Sequence, residues 1–180
     1  MPLKNSAKPA KASSHPNEVF TPAPVVRHMS SLCEPLLSDP ARKVFEPGCG
    51  TGNFLIEALS RRLENITSPV TALLALSNLY GVDINPDYLA IARHRLKNTI
   101  LDRLSAQSLD YRFLPLVDLF LNSNLIQADL IRSRDTITFI DWQPLSDYNF
   151  HAVPTKLSDT LPKTLPATST TFKTLEGTNV

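Results

Sequence analysis

Along the middle of the chain, the spacing of apolar and polar residues changes repeatedly between the period typical of a helix and that typical of a strand. After Thr21 and Pro22, the apolar residues Val25, Met29 and Leu32 follow at i, i+4 and i+7. This spacing predicts a short helix that ends at about residue 34. Thr21 is predicted to be its N-cap, with proline at the first helical position.

Strands and helices then alternate. Short β-prone runs predict strands at residues 43–46, 80–83, 125–129 and 136–142. Helical periodicity predicts helices at residues 54–64, 70–79 and 86–97. In the last of these, Leu89, Ala92 and Leu96 are expected to face inward. Such alternation favours an α/β fold with a parallel, doubly wound sheet covered on both faces.

Both ends of the chain depart from this pattern. Residues 1–16 hold three lysines, no acid and several Ala, Ser and Pro residues, which predicts a disordered, solvated basic arm. Residues 151–180 are rich in Thr, Ser, Pro and Lys and lack sustained apolar periodicity, which predicts a disordered tail. One ordered unit is therefore expected from residue 17 to residue 150.

Composition narrows the class of protein. A hydrophobic fraction of 42% in 180 residues suffices for one packed domain. The net charge of +1 gives no overall electrostatic footprint for nucleic acid. Two cysteines and four scattered histidines predict neither a disulfide framework nor a metal site. Without a membrane-length apolar segment or a secretory signal, the expected location is the cytoplasm.

A glycine-rich turn lies between the first predicted strand and the helix that follows it. Gly48, Gly50 and Gly52 lie in the run FEPGCGTGNF, where glycine allows a sharp bend and a close approach of ligand. The spacing is G-x-G-x-G, and Asn53 stands where a dinucleotide-binding fingerprint has its third glycine. The turn therefore predicts a ligand site, but not the usual nicotinamide one.

Two acids end neighbouring strands. Glu46 closes the first predicted strand and Asp83 closes the second. A carboxylate at the tip of the second strand can accept both ribose hydroxyls of an adenosine ligand. The separation of the two acids exceeds the roughly 20 residues of a dinucleotide unit. The predicted helix at residues 70–79 accounts for the surplus.

Four segments resemble motifs of class I S-adenosylmethionine-dependent methyltransferases, in that family's order. Motif I is similar to VFEPGCGTGNFLIEAL, motif II to YGVDINPDYLAIARHRL and motif III to LIQAD. The F-x-T-P element of adenine-N6 DNA methyltransferases from restriction–modification systems is similar to EVFTPAPVVRHMSSL. The resemblance covers about residues 18–130 and implies a Rossmann-like cofactor-binding half that binds S-adenosylmethionine.

The resemblance also implies roles at the end that holds the methionine part of the cofactor. Gly48, Gly50 and Gly52 would line this part. Thr21 would reach the methionine carboxylate, and Glu46 would lie near the amino group. The alternatives are that Thr21 is only an N-cap and that Glu46 is an ordinary strand-end carboxylate. Cys49 is expected to fill a small position and not to act as a nucleophile.

At the adenosine end, the resemblance assigns four further residues. Asp83 would take the ribose hydroxyls and Ile84 would lie against the adenine face. Asp129 would accept from the adenine amino group, with Leu130 beside it. Asp83 could instead be an ordinary strand-end acid, and Asp129 a helix cap or a solvated acid. The arginines of two helices are expected to lie on solvated faces instead of contacting DNA: Arg61, Arg62, Arg93 and Arg95.

The tetrapeptide (Asn/Asp)-Pro-Pro-(Tyr/Phe), which in the family binds the target amine and stacks on the flipped base, does not occur in the sequence. Residues 141–144 (DWQP) have related residues in the wrong order, and residues 148–154 lie where the fourth strand is expected. No catalytic residue is therefore assigned. We expect an incomplete sheet from a truncated or frame-disrupted gene, with residues 44–45 at an exposed edge that favours self-association or a partner.

These observations favour a homologue of adenine-N6 DNA methyltransferases that binds S-adenosylmethionine and has DNA as its partner by resemblance. One alternative is a non-catalytic cofactor-binding or partner subunit that complements a catalytic half. Another is a methyltransferase for a substrate other than DNA. A nicotinamide-dependent oxidoreductase is disfavoured by Asn53.

Overall fold

The computed structural model describes residues 20–66, 68–105, 113–146 and 149–160, which form a mixed α/β structure. The helices span Ala23–Ser31 (α1), Asn53–Glu64 (α2), Pro69–Ser77 (α3), Pro86–Ser105 (α4), Leu114–Asn124 (α5), Leu130–Ser133 (α6) and Leu157–Thr160 (α7). The strands span Val44–Pro47 (β1), Leu79–Asp83 (β2), Leu125–Gln127 (β3), Thr138–Ser146 (β4) and Asn149–Lys156 (β5).

Three strands form a parallel sheet in the order β1-β2-β3. The central strand β2 is buried over nearly its whole length, as expected for a strand covered on both faces. Within the described ranges, β1 pairs only with β2 and so lies at an edge, which confirms the predicted edge position. The strands β4 and β5 form a separate antiparallel hairpin.

Alternate residues of β2 point into two different apolar clusters. Leu79 joins a large cluster formed mainly by α2, α3, α4 and α5, which cover one face of the sheet. Tyr80 and Val82 join a smaller cluster on the other face, with Phe139 of β4 and Leu157 of α7. Both faces are covered as predicted, but the second face is covered largely by a hairpin.

The two long helices beside the glycine-rich turn bury the residues that the periodicity predicted. In α2, Leu55, Leu59 and Leu63 are buried. In α4, Leu89, Ala92 and Leu96 are fully buried. Burying one leucine contributes about 1.5–3 kcal/mol relative to leaving it exposed, so these stripes hold both helices against the sheet.

The first helix differs from its prediction in two ways. Its N-cap is Pro22, with no side-chain cap bond, so the assignment of Thr21 as N-cap is wrong. Residues Val25, Met29 and Leu32 are exposed by 45%, 47% and 73%. The face that packs on α2 carries Val26 instead. Helical periodicity alone does not say which face has a partner.

The predicted disordered tail begins too early. Residues 149–160 form β5 and α7, and Leu157 is almost fully buried. The hairpin is anchored by aromatic contacts, since the Phe120 ring lies 5.0 Å from that of Phe150 and 5.1 Å from that of Trp142. Threonine-rich sequence is compatible with a strand when a partner strand is present. Residues 1–16 and 161–180 lie outside the described residues.

Candidate functional site

The turn after β1 winds back on itself and rests on the tip of β2. Gly48, Gly50 and Gly52 all have positive φ angles (69°, 51° and 81°), a conformation that side chains other than glycine rarely adopt. The N–H of Cys49 donates to the carbonyl of Val82 at 2.9 Å. The N–H of Gly52 donates to the carbonyl of Cys49 at 2.8 Å and closes the turn.

The space beside the glycines differs from one to the next. A Cβ built on Gly48 would meet nothing within 4 Å, so this glycine leaves room for a ligand. A Cβ on Gly50 would lie 3.2 Å from the Phe20 ring, and one on Gly52 would lie 3.1 Å from Cβ of Ala92. The absence of a side chain at Gly50 therefore makes room for Phe20, and its absence at Gly52 makes room for Ala92 of α4.

Asp83 holds this turn from the neighbouring strand. Its Oδ2 accepts the N–H of Gly50 at 2.7 Å and its Oδ1 accepts the N–H of Asn85 at 2.8 Å. A carboxylate has about four lone-pair positions, so each oxygen keeps capacity for a further donor. The carboxylate therefore joins the turn after β1 to the start of α4 and still has acceptor capacity.

Glu46 lies at the base of the turn in a desolvated position. Its Oε2 is buried and has no hydrogen-bond partner among the described residues. The pKa of Glu46 is raised to about 8, chiefly because the carboxyl is buried; the hydrogen bond from the N–H of Leu55 opposes this rise, and the nearby charge of Asp83 adds to it. Near neutral pH the carboxyl is therefore mostly protonated, and it can bind a cation when it loses the proton.

A small cleft of about 70 Å³ opens between the turn and the segment that contains Phe20 and Thr21. Its lining combines residues 20–22 (the F-T-P segment), the end of β1 with the glycine turn, and the start of α2: Phe20, Thr21, Glu46, Gly48, Cys49, Gly50, Thr51, Asn53 and Phe54. Pockets for small molecules usually measure about 300–1,000 Å³. The cleft therefore has room for only a small part of a ligand of that size.

The F-T-P segment lies across the turn and is held at two points. The Phe20 ring packs edge-on against Tyr88 of α4, with ring centroids 5.1 Å apart. The Thr21 carbonyl accepts a hydrogen bond from Nδ2 of Asn53 at 3.0 Å. Thr21 is thereby brought to the cleft that also contains Glu46.

The predicted residues beyond β2 lie outside this cleft. Asp129 caps α6, where its Oδ1 accepts the N–H groups of Ile131 and Arg132 at 3.0 and 3.2 Å. The alternative assignment of Asp129 as a helix cap is therefore confirmed. Ile84 is exposed by 63%, whereas Leu130 packs against the smaller core cluster. Asp129 nonetheless lies just past the carboxyl end of β3, and Glu46 and Asp83 lie at the carboxyl ends of β1 and β2.

Cys49 fills space beneath the turn. Its Sγ lies 2.9 Å from the position that a Cβ on Gly81 would take, so loop and strand fit closely only because residue 81 is glycine. Burial raises the pKa of the Cys49 thiol to about 12, and it therefore stays protonated. The expected space-filling role is confirmed. No group of three or more potential metal ligands occurs in the part of the chain that the structure describes.

The four arginines predicted to lie on solvated helix faces all make specific contacts. Arg62 is almost fully buried and donates to the carbonyls of Leu37, Ala75 and Arg42. Arg95 donates to the Thr51 carbonyl at 2.8 Å and to Oδ1 of Asn53 at 2.7 Å. Arg93 donates to the carbonyls of Leu121 and Leu125. Arg61 pairs with Glu34 and Glu57. The prediction of solvated helix faces is therefore wrong for Arg62 and incomplete for Arg61, Arg93 and Arg95. The one feature of the sequence that could have pointed to the role of Arg95 is Asn53, which stands in place of a third glycine.

Fold and site define a mixed α/β protein with a small cleft at the carboxyl ends of parallel strands, beneath a glycine-rich turn. The model of the N-6 DNA methylase family matches residues 3–110, more than half of the chain. The chain therefore belongs to the N-6 DNA methylase family. No curated protein and no solved structure matches it. Among the described residues, none of the helices has the length and apolar character that crossing a bilayer requires.

Proposed function

We propose that this chain binds S-adenosylmethionine and forms the cofactor-binding part of a class I, adenine-N6 DNA methyltransferase. The observation that carries the proposal is the buried carboxyl of Glu46, whose Oε2 has no hydrogen-bond partner in the part of the chain that the structure describes, although Glu46 lines a cleft beneath a glycine turn. An unsatisfied buried polar atom costs about 1–3 kcal/mol, which a ligand that hydrogen-bonds to it would recover. Family membership supplies the reaction class.

The residues in the cleft fit the amino-acid end of this cofactor. An ammonium group beside Oε2 of Glu46 would form a charge-assisted hydrogen bond, stronger than a neutral one. The open side of Gly48 leaves room for the ligand, and the Thr21 hydroxyl would reach a carboxylate. When bound, S-adenosylmethionine would supply an electrophilic methyl group. The chain's residues bind and orient it, and Glu46 releases its proton as the ammonium arrives.

The adenosine part of the cofactor would lie on the surface beside the carboxyl ends of β2 and β3. The remaining acceptor capacity of Asp83 would take the ribose hydroxyls. Exposed Ile84 would cover one face of the adenine. Asp129 would accept a hydrogen bond from the adenine amino group with its Oδ2, since its Oδ1 caps α6. Leu130 is the weakest of the proposed contacts, because its side chain already packs against the core.

Calorimetric titration with S-adenosylmethionine tests this proposal. Saturable binding is expected for the wild-type chain, and Glu46→Gln should weaken it at least tenfold because the variant cannot form the charged pair. Asp118→Asn is the matched control, since its carboxylate pairs with Lys97 far along α4 from the cleft. Absence of binding by a folded wild-type chain, verified by circular dichroism, would overturn the proposal.

A second candidate is a cofactor-binding or partner subunit that complements a catalytic chain. It is favoured by the position of β1, which pairs only with β2 within the described ranges, and by the lack of the expected tetrapeptide in the sequence. Mixing the chain with a family polypeptide that carries the tetrapeptide tests it. The expected result is a complex that methylates adenine in DNA. If the mixture forms no complex, the partner role is excluded.

A further inference from the structure

The amide of Asn53 connects two parts of the cleft that are distant in sequence. Its Nδ2 donates to the Thr21 carbonyl at 3.0 Å, and its Oδ1 accepts from Nη1 of Arg95 at 2.7 Å. The same Nη1 donates to the Thr51 carbonyl at 2.8 Å and contacts the Thr51 hydroxyl at 3.2 Å. The Asn53 side chain thus joins the F-T-P segment to Arg95 of α4, and Arg95 in turn holds the glycine turn at Thr51.

The chemistry of these groups fixes the direction of the amide. A guanidinium can only donate hydrogen bonds, so Arg95 must face the oxygen of Asn53. The amide nitrogen is then left facing the Thr21 carbonyl, which can only accept. A flipped amide would place donor against donor and acceptor against acceptor.

We propose that Asn53 is a positioning residue that holds the F-T-P segment closed over the glycine turn, with Arg95 setting the direction of its amide. The proposal rests on the proposed function, since closure serves to bring Thr21 to the S-adenosylmethionine cleft. It also explains why residue 53 is not glycine, because glycine has no side chain with which to join the two segments.

The substitution Asn53→Asp separates positioning from folding. Aspartate keeps the shape and strengthens the contact with Arg95, but it places a carboxylate oxygen against the Thr21 carbonyl. Because residue 53 begins α2, a negative charge there is favourable to the helix dipole. This gain offsets the cost of the lost hydrogen bond, so the thermal midpoint should stay close to that of the wild type, while the F-T-P segment loses its hydrogen bond to α2.

Two measurements report on the attachment. Hydrogen exchange of residues 20–31 in the absence of any ligand should be faster in Asn53→Asp than in the wild type. The dissociation constant for S-adenosylmethionine should rise on the order of tenfold, the effect of losing one hydrogen-bonded group. Asn98→Asp is the matched control, because it makes the same chemical change on an exposed surface of α4 and should alter neither quantity.

Three further variants complete the test. Asn53→Ala removes both contacts without adding charge and should show the same faster exchange, so the result does not depend on whether Asn53→Asp folds. Arg95→Lys keeps a donor for Oδ1 of Asn53 and should retain more of the closure than Arg95→Ala. Wild-type exchange in both Asn53 variants would overturn the proposal. Faster exchange in a chain that binds no S-adenosylmethionine would support the positioning role and overturn the cofactor assignment.

Discussion

The carboxylate of Asp83 accepts the backbone N–H of Gly50 at 2.7 Å, so the tip of β2 holds the turn that follows β1. The second oxygen accepts the N–H of Asn85 and thereby fixes the start of α4. One side chain therefore sets the relative positions of the two segments between which a cofactor would lie. Its structural role and its proposed ribose contact use different lone pairs.

Asp83→Asn should lower both stability and cofactor affinity. An asparagine amide has one acceptor oxygen, so its NH₂ group would face one of the two backbone N–H groups. The expected loss is about 1–3 kcal/mol in the free energy of unfolding, measured by urea titration. Asp118→Asn should leave the unfolding curve within about 0.5 kcal/mol of the wild type. Equal stability of the two variants would contradict the role of Asp83 in holding the turn.

Glu46 should make the ligand-free protein less stable as the pH rises. Its pKa is about 8 in the folded chain and near 4.5 when unfolded, so the folded state binds the extra proton between these values. The free energy of unfolding should therefore fall across this window, with a slope of at most about 1.4 kcal/mol per pH unit. Urea unfolding from pH 5 to 9 should show a flatter profile for Glu46→Gln. Identical profiles would contradict the prediction.

Removing the buried guanidinium of Arg62 should be among the most damaging single changes. Arg62→Met would leave the carbonyls of Leu37, Ala75 and Arg42 without this donor. Each buried unsatisfied group costs about 1–3 kcal/mol, so a total loss of at least about 3 kcal/mol is expected. Thermal unfolding measures it, with Arg132→Met as the control on an exposed arginine. A loss no larger than that of the control would show that Arg62 is dispensable.

The close fit between Cys49 and Gly81 predicts a compensating pair of substitutions. In Gly81→Ala the new Cβ would lie 2.9 Å from both Sγ of Cys49 and Cδ2 of Leu125, which should cost about 1–3 kcal/mol. Cys49→Ala removes the Sγ but keeps the Cβ of residue 49, which lies 3.1 Å from the same position, so the double variant should recover only part of the loss. A double-mutant cycle on unfolding free energies measures this coupling. Strict additivity would indicate that the turn shifts freely.

The sequence predicted the central elements because their patterns are local. In β2 an apolar run ends in an acid, and in α4 Leu89, Ala92 and Leu96 repeat at helical spacing. The glycine turn and the carboxylates at the strand ends follow from the same local order. Helix α5 was not predicted, although it buries Val117, Phe120 and Leu121.

The errors concern contacts that join distant parts of the chain. The exposed stripe of α1 is as periodic as a buried one, and only the position of α2 decides which face is covered. The strand β5 depends on β4 for its partner, so its composition alone suggested disorder. In the same way, no spacing along the chain could show that Asn53 bonds to both Thr21 and Arg95.

The docking of the hairpin gives the molecule a spectroscopic probe of its own. Trp142 is the sole tryptophan in the chain, and its Nε1 donates to the hydroxyl of Ser123 at 3.0 Å while its ring packs on Phe120. Its fluorescence should therefore shift to longer wavelength when the hairpin leaves the helices. Trp142 lies near the start of β3, whereas the glycine turn lies at the other end of the parallel sheet, after β1. A shift of this emission would therefore report detachment of the hairpin and not opening of the cleft, and it needs no added label.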